Sequence, residues 1–283
     1  MSRRESSSGQ GGRKGSGTLA EIQRLQQDRD ERRRAMEQVK KDRAAEAARN
    51  LAEGRPGDVD FQKMIREYRS EYLDGRDQSH IASEPSDEGK DGGDGKDERI
   101  CIAVRKRPVN SKEVRKNDYD SITCVNPLVI VHDCKLRVDG ITKYLDNTSF
   151  SVDHTFNEND TTEDIYRYCI KSLVPFTISG GRGTVFAYGQ TGSGKTFTMV
   201  GIQQMAIADL FSGLEQRAAD RPDAPTLVPY VSFFEIYGGR CQDLLNNRNR
   251  LAVREDGTGD VVIAGLVEEE ARGEEEMTQV IDL

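Results

Sequence analysis

The stretch AYGQTGSGKTFTM, from Ala187 to Met199, governs how the rest of this chain is read. Inside it, Gly189-Gln190-Thr191-Gly192-Ser193-Gly194-Lys195-Thr196 matches GxxxxGK[ST] at every defined position. The glycines permit backbone angles that side chains forbid, and they let amides approach an anion closely. A helix following the loop aims its N-terminal amides and the positive end of its dipole at that anion. In this pattern Lys195 reaches the β- and γ-phosphates of ATP, and the Thr196 hydroxyl ligates Mg²⁺. Residues 189–196 are therefore the candidate cofactor cradle. Lys195 and Thr196 are the candidate catalytic residues, with Thr196 also the candidate metal ligand. A chance match in a chain this long arises on the order of 1% of the time. The competing reading is a Gly-rich turn that merely joins a strand to a helix. The flanks meet the requirements of the first: TVFAY (184–188) reads as a compact buried strand, and FTMVGIQQM (197–205) opens a helix over 194–217.

Outward from the loop, the chain alternates strand-like and helix-like segments. ICIAVRKRP (100–108), PLVIV (127–131), KLRVDGITKYL (135–145), FSVDHTF (150–156), LVPYVSFFEIY (227–237) and VVIAGLV (261–267) are β-rich. Residues 161–179 have helical spacing at Ile165, Tyr168, Cys169, Leu173 and Phe176, and end at Gly180 and Gly181. Phe233, Phe234 and Tyr237 read as core residues. This pattern predicts an α/β sheet with helices on its faces.

Ahead of Ile100 the composition changes. Residues 1–17 are rich in Ser, Gly and Arg and read as disordered. Thr18 and Glu21 fit a capping box, and no Gly or Pro follows until Gly54, so a basic helix is expected over 18–53. Its stripe of Leu19, Ile22 and Leu25 is too sparse for a sustained coiled coil. A second helix, FQKMIREYRSEYL (61–73), carries Phe61, Met64, Ile65 and Tyr68 on one face. SEPSDEGKDGGDGKDE (83–98) reads as an acidic linker, making 54–98 a neck-like helix plus linker.

The net charge of −8 is divided, for residues 1–50 carry 13 Lys/Arg against 8 Asp/Glu, a local +5. Such a basic arm either meets an acidic partner or is simply a solvated helix. The five cysteines form no CxxC pair, and no apolar run approaches membrane-spanning length. Together these point to a protein of a reducing compartment, cytosol or nucleus, with no membrane partner.

Four stretches, RKRP (105–108), FAYGQTGSGKTFTM (186–199), VSFFEIYGGRCQDLL (231–245) and LAVREDGTGDVVIAGLVEE (251–269), stand in the order and spacing of a kinesin motor domain, which residues 99–283 resemble. MIREYR (64–69), RVDGITKYLDN (137–147) and LLNNRNRLAVREDG (244–257) are similar to the internal-motor, microtubule-depolymerising thirteenth family of kinesins. The resemblance implies a P-loop NTPase motor with a central, mostly parallel-to-mixed sheet flanked by helices, here the N-terminal portion of a motor. It implies ATP and Mg²⁺ as cofactors, microtubule-stimulated ATP hydrolysis, tubulin as partner, and a place on the microtubule cytoskeleton, in the cytoplasm, spindle, flagellum or nucleus.

Carried over by position, Arg105 and Pro108 flank the adenine. Arg137, Val138 and Asp139 fall where the family has a Lys-Val-Asp finger that probes tubulin, and residues near 248–260 belong to the tubulin-facing lobe. Without the resemblance, the first of these is an ordinary hairpin tip and the second a solvated hairpin. Phe197 stands where the family commonly has His, which removes an imidazole hydrogen bond but leaves a ring that can pack.

The family's NxxSSRSH and DLAGSE switches do not occur in these 283 residues. The expectation is that the chain alone folds marginally, exposes a sheet edge and turns over little ATP. Rival readings are a non-catalytic tubulin-binding module, a walking kinesin, and a P-loop protein whose arm binds nucleic acid. The arm's lack of interleaved aromatics argues against the last. Whether two copies pair as a homodimer is open.

Overall fold

The computed structural model describes residues 15–73 and 100–281. The proposed linker at 83–98 and most of the proposed disordered segment lie outside the described residues. In chain order the elements are α1 (Gly15–Ala52), α2 (Val59–Leu73), β1 (Ala103–Arg105), α3 (Ser111–Arg115), β2 (Ile122–Val125), β3 (Leu128–Leu136), β4 (Lys143–Ser151), β5 (His154–Phe156) and α4 (Thr162–Ile165). A π-helical turn (Tyr166–Ile170) follows, then α5 (Leu173–Ile178), α6 (Lys195–Asp220), β6 (Tyr230–Val231), β7 (Phe234–Tyr237), β8 (Arg240–Asp243), β9 (Asn249–Glu255), β10 (Val261–Ala264), β11 (Glu269–Glu270) and α7 (Glu274–Ile281). No described helix is long and apolar enough to cross a membrane.

The chain divides into two compact units. The first holds 1–76, 109–122 and 131–148. Its helix α1 begins at Gly15, so residues 15–17 are helical rather than disordered and Thr18 lies inside the helix, not at its cap. Leu25, Met36 and Val39 of α1 are exposed, as the sparse stripe predicts. Helix α2 buries Phe61 and Ile65, the face that the spacing selects. Asp58 starts this helix, its carboxylate accepting from the Asp60 and Phe61 amides at 3.0 and 3.2 Å. Gly57 (φ +113°) precedes it, and a Cβ there would stand 2.7 Å from the Asn117 carbonyl oxygen and 2.6 Å from the Tyr119 ring. Arg69 donates to the Asp120 carboxylate at 2.9 Å and to the Ile122 carbonyl at 2.8 Å. Buried His132 bonds Asn147 at 2.7 Å and meets the Tyr68 ring edge-on at 5.0 Å. Lys143 reaches Asp58 at 2.5 Å and Asp60 at 2.7 Å. These contacts fasten α2 to the start of β2 and to the distal part of the β3–β4 hairpin.

The second unit holds 77–108, 123–130 and 149–283. Its strands β1 and β5 pair in parallel, Ala103 beside His154 and Arg105 beside Phe156. A four-stranded antiparallel sheet runs β10-β9-β8-β7, and β11 pairs with β6. A core of Phe156, Ile165, Tyr166, Ile170 and Ile202 joins β5, α4, the π turn and α6. A smaller one of Ile207, Ala271 and Met277 joins α6 to α7. Helix α6 comes close to its neighbours through glycine: a Cβ on Gly201 would lie 2.9 Å from Thr162.

Several sequence expectations change here. The 100–108 run is a strand only over Ala103–Arg105, and Ile100 and Ile102 are exposed. The 227–237 run splits into β6 and β7, with no strand at 232–233. The 161–179 helix is interrupted by the π turn, whose extra residue per turn rotates Tyr166 and Ile170 into the core while Phe176 is exposed. TVFAY is neither a strand nor buried, with Phe186 82% and Tyr188 97% exposed. A central strand is held and covered by neighbours on both edges, and none of the described strands pairs with this one. For the same reason the expected single sheet is represented among the described residues by small separate sheets. Phe234 and Tyr237 are exposed rather than core.

Candidate nucleotide-binding site

The loop 189–194 leads into a 26-residue helix, α6, which Gly194 caps at φ +98° and ψ 13°. This left-handed geometry is cheap only for glycine and turns the first amides of α6 into the concave side of the loop. Gly192 adopts φ +83°. At Gly189 the constraint is proximity, because a Cβ would lie 2.6 Å from the Ser193 hydroxyl. The first turn of α6 contains no acidic residue, so nothing offsets the positive end of its dipole. Lys195 Nζ donates to the carbonyls of Gly189 and Gln190, both at 2.8 Å, and so spans the loop with its ammonium. The Ser193 amide closes the loop on the Gln190 carbonyl at 3.1 Å. Thr196 is exposed in the first turn beside Lys195. Glycine-shaped concavity, helix-start amides and one cation fit a polyphosphate. The amides at the start of α6 and Lys195 would hold it, and the Thr196 hydroxyl would hold Mg²⁺, which supplies charge neutralisation and orients the phosphate oxygens.

The structure brings RKRP to this loop. Arg107 Nε donates to the Gly192 carbonyl at 2.9 Å, which sets exposed Pro108 at the loop's rim. Arg105 turns away from solvent. Its guanidinium donates to Thr162 at 2.9 Å and Thr198 at 2.8 Å, and it lies 5.3 Å from the centre of the Phe197 ring. Phe197 thus packs under a cation. Arg107, Thr162 and Thr198 were not singled out from sequence. Thr162 follows Thr161, whose TxxD capping box with Asp164 announces a helix start and was the available signal.

A cavity of about 390 Å³ opens beside the loop helix, lined by Ala187, Lys195, Thr196, Met199, Ile207 and Phe233 among others. Helix α6 lines it with both polar and apolar side chains, Gln203 and Gln204 beside Met199 and Ile207.

The finger residues occupy the β3–β4 turn. The Arg137 amide bonds the Thr142 carbonyl at 2.8 Å, and Gly140 (φ +68°) bonds the Arg137 carbonyl at 2.9 Å. Asp139 accepts from the Ile141 and Thr142 amides at 2.9 and 2.8 Å and from the Thr142 hydroxyl. That hydroxyl, followed by the two amides, holds its pKa below the ordinary 3.8. Asp139 is consumed in building the turn. Val138 points fully into solvent, and Arg137 lies 5.7 Å from the Tyr144 ring centre. The 248–260 region is the β9–β10 hairpin, Glu255 opposite Val261, closed by Asp256, which accepts from Thr258 and Asp260 amides at 2.8 and 3.0 Å. Behind it, fully buried Asp243 accepts from the Leu245 and Val267 amides at 3.0 and 2.9 Å.

Comparisons with known proteins bear on the family and the fold. The kinesin motor domain family matches residues 105–283. "Diatom spindle kinesin-1" of Cylindrotheca fusiformis is 44% identical over 270 residues, covering 94% of this chain and 40% of that protein. A solved structure described as "Structure of a fast kinesin: Implications for ATPase mechanism and interactions with microtubules" superposes with a TM-score of 0.53 at 28% identity. It covers 65% of this chain and 51% of its own. The chain thus spans about half or less of the relatives it matches. By family match, identity and shared α/β fold, it belongs to the kinesin motor domain family, of which residues 105–283 form part.

Proposed function

We propose that this chain is the nucleotide-binding part of an ATP-driven microtubule motor. The observation that carries the reading is the Gly189–Thr196 loop capped by left-handed Gly194 and spanned by the Lys195 ammonium. ATP with Mg²⁺ is the nucleotide, and tubulin the partner. The wording of the fast-kinesin structure, with its ATPase mechanism and microtubule interactions, supports both.

The finer reading is a motor that shortens microtubules at their ends. It rests on the resemblance of MIREYR (64–69), RVDGITKYLDN (137–147) and LLNNRNRLAVREDG (244–257) to the depolymerising kinesins, and two further features bear on the pre-motor segment. An alignment covering 94% of the chain reaches well ahead of residue 105, so the diatom relative shares the segment that precedes the motor. In this chain that segment contributes α2, whose Asp60 and Tyr68 meet Lys143 and His132 of the hairpin whose tip carries Arg137 and Val138. The relative's name places it at the spindle, which supports a spindle or cytoskeletal location here.

The test starts with binding of a fluorescent ATP analogue in the presence of Mg²⁺. Lys195→Ala in folded protein should weaken it at least ~100-fold, the loss of one charge-assisted contact set. Unchanged affinity would remove the nucleotide reading. The second stage images stabilised microtubules with ATP and the full-length protein. Shortening from the ends supports the finer reading. Gliding at constant filament length would replace it with a walking motor.

A further inference from the structure

We infer that Cys101, His154 and Cys169 form a zinc-binding site in the second unit. Cys101 lies two residues ahead of β1, His154 opens β5, and Cys169 sits in the π turn. One thiol sulfur from each cysteine and a ring nitrogen of His154 all lie within 4.8 Å of one another. It is the one such group of potential ligands found among the described residues.

The geometry suits zinc. With Zn–S near 2.3 Å and Zn–N near 2.0–2.1 Å, a tetrahedron separates its ligand atoms by about 3.6–3.8 Å. Closing the cluster therefore asks for movements of about 1 Å or less, which exposed Cys101 can supply by rotation about χ1. Two thiolates with an imidazole are a soft, mixed donor set that selects zinc over magnesium or calcium. The fourth position falls to water. Backbone architecture fixes all three donors. Parallel pairing sets Ala103 beside His154, and the Asp153 carboxylate accepts the Ile102 amide at 2.6 Å, bracing the backbone between Cys101 and β5. The π turn, marked by the Lys171 amide bonding the Tyr166 carbonyl at 2.8 Å, rotates Cys169 towards that pair. Such turns recur where a helix must aim a side chain at a site.

A Cys101–Cys169 disulfide is the competing chemistry. It would use two donors and leave His154 to its ring contacts with Phe156 and Tyr168 at 6.3 and 6.1 Å, whereas a metal uses all three. Bound zinc would clamp the β1–β5 pair, which leads into Arg105 and the loop rim, to the helix behind it. None of the three residues belongs to the nucleotide cradle.

The full chain, purified under a reducing agent without a polyhistidine tag, should carry one zinc by elemental mass spectrometry. Replacing zinc with Co²⁺ should give a thiolate-to-cobalt charge-transfer band. Cys101→Ser and Cys169→Ser should each cut that band by about half or more, the double variant should abolish it, and each single variant should weaken zinc retention against a chromophoric chelator by at least ~10-fold. Cys124→Ser should change neither. Should a variant fail to fold, alkylation of Cys101 in the unaltered chain serves instead, and zinc should slow it. No thiolate-to-cobalt band in the unaltered chain, zinc held equally by all variants, or alkylation indifferent to zinc would overturn the site.

Discussion

Removing the Lys143 ammonium tests how the pre-motor helix is held. Lys143 Nζ lies 2.5 Å from Asp58 and 2.7 Å from Asp60, with side chains 20%, 32% and 39% exposed. It also lies 5.1 Å from the Phe61 ring centre. At an effective dielectric of 20, each ion pair has a gross Coulomb energy of about 6 kcal/mol. Desolvation and solvent screening cancel most of that, leaving about 1 kcal/mol per half-exposed pair. The cation–ring contact adds about 0.5 kcal/mol, and Asp60 keeps Arg43 at 2.6 Å as a second partner. Lys143→Met should therefore cost about 2 kcal/mol, and lower the urea midpoint at pH 7 by about 1 M for a unit of this size.

The pH dependence gives a second reading of the same network. Burial opposes charge on Asp58, but the Lys143 hydrogen bond and the Phe61 and Asp60 amides outweigh it, so its pKa falls below 3.8. A depressed carboxylate contributes stability that is present above its unfolded pKa and is lost as pH falls through the folded value. Burial likewise opposes charge on Lys143, and Asp58 and Asp60 outweigh it, so its pKa rises above 10.5. That contribution is present below 10.5 and is lost as pH rises through the folded value. The stability gap between unaltered and Lys143→Met protein should be flat across neutral pH and close in strong acid. A gap under ~0.3 kcal/mol at pH 7, below what additivity errors allow, or one undiminished in acid, would refute the assignment.

Three further outcomes follow from the same contacts. Gly57→Ala should cost about 2 kcal/mol by chemical denaturation, because its positive φ and the nearby Asn117 carbonyl and Tyr119 ring both resist a Cβ. Arg105→Ala should cost about 1 kcal/mol in thermal unfolding by removing its hydrogen bonds to Thr162 and Thr198, the latter keeping its bond to the Gly194 carbonyl, and its contact with the Phe197 ring. Val138→Ser should leave stability within ~0.5 kcal/mol while lowering microtubule affinity in co-sedimentation, whereas Asp139→Ala should loosen the turn itself, seen as faster amide exchange at Ile141 and Thr142.

Local rules were readable where local rules decide the structure. Phe61 and Ile65 recur at helical spacing, and α2 buries them. Three glycines around Lys195 specify a loop that ordinary side chains would obstruct, and it forms with Gly194 as the helix cap. The sequence on its own specified the glycine-rich loop, the helix after it, the amphipathic helix ahead of the motor and the family to which these motifs belong. Tertiary structure alone decided the rest. Apolar TVFAY reads as a buried strand, yet burial depends on neighbouring strands far along the chain, and Tyr188 stands in solvent. Arg105 reads as a residue flanking the adenine, but only the approach of α4 and α6 supplied the two threonine hydroxyls that hold it. Cys101 and Cys169 are 68 positions apart and give no spacing signal; parallel strand pairing and a π turn bring them together. A motif records which backbone angles a few residues permit, while packing is fixed by segments that meet only after the chain has folded.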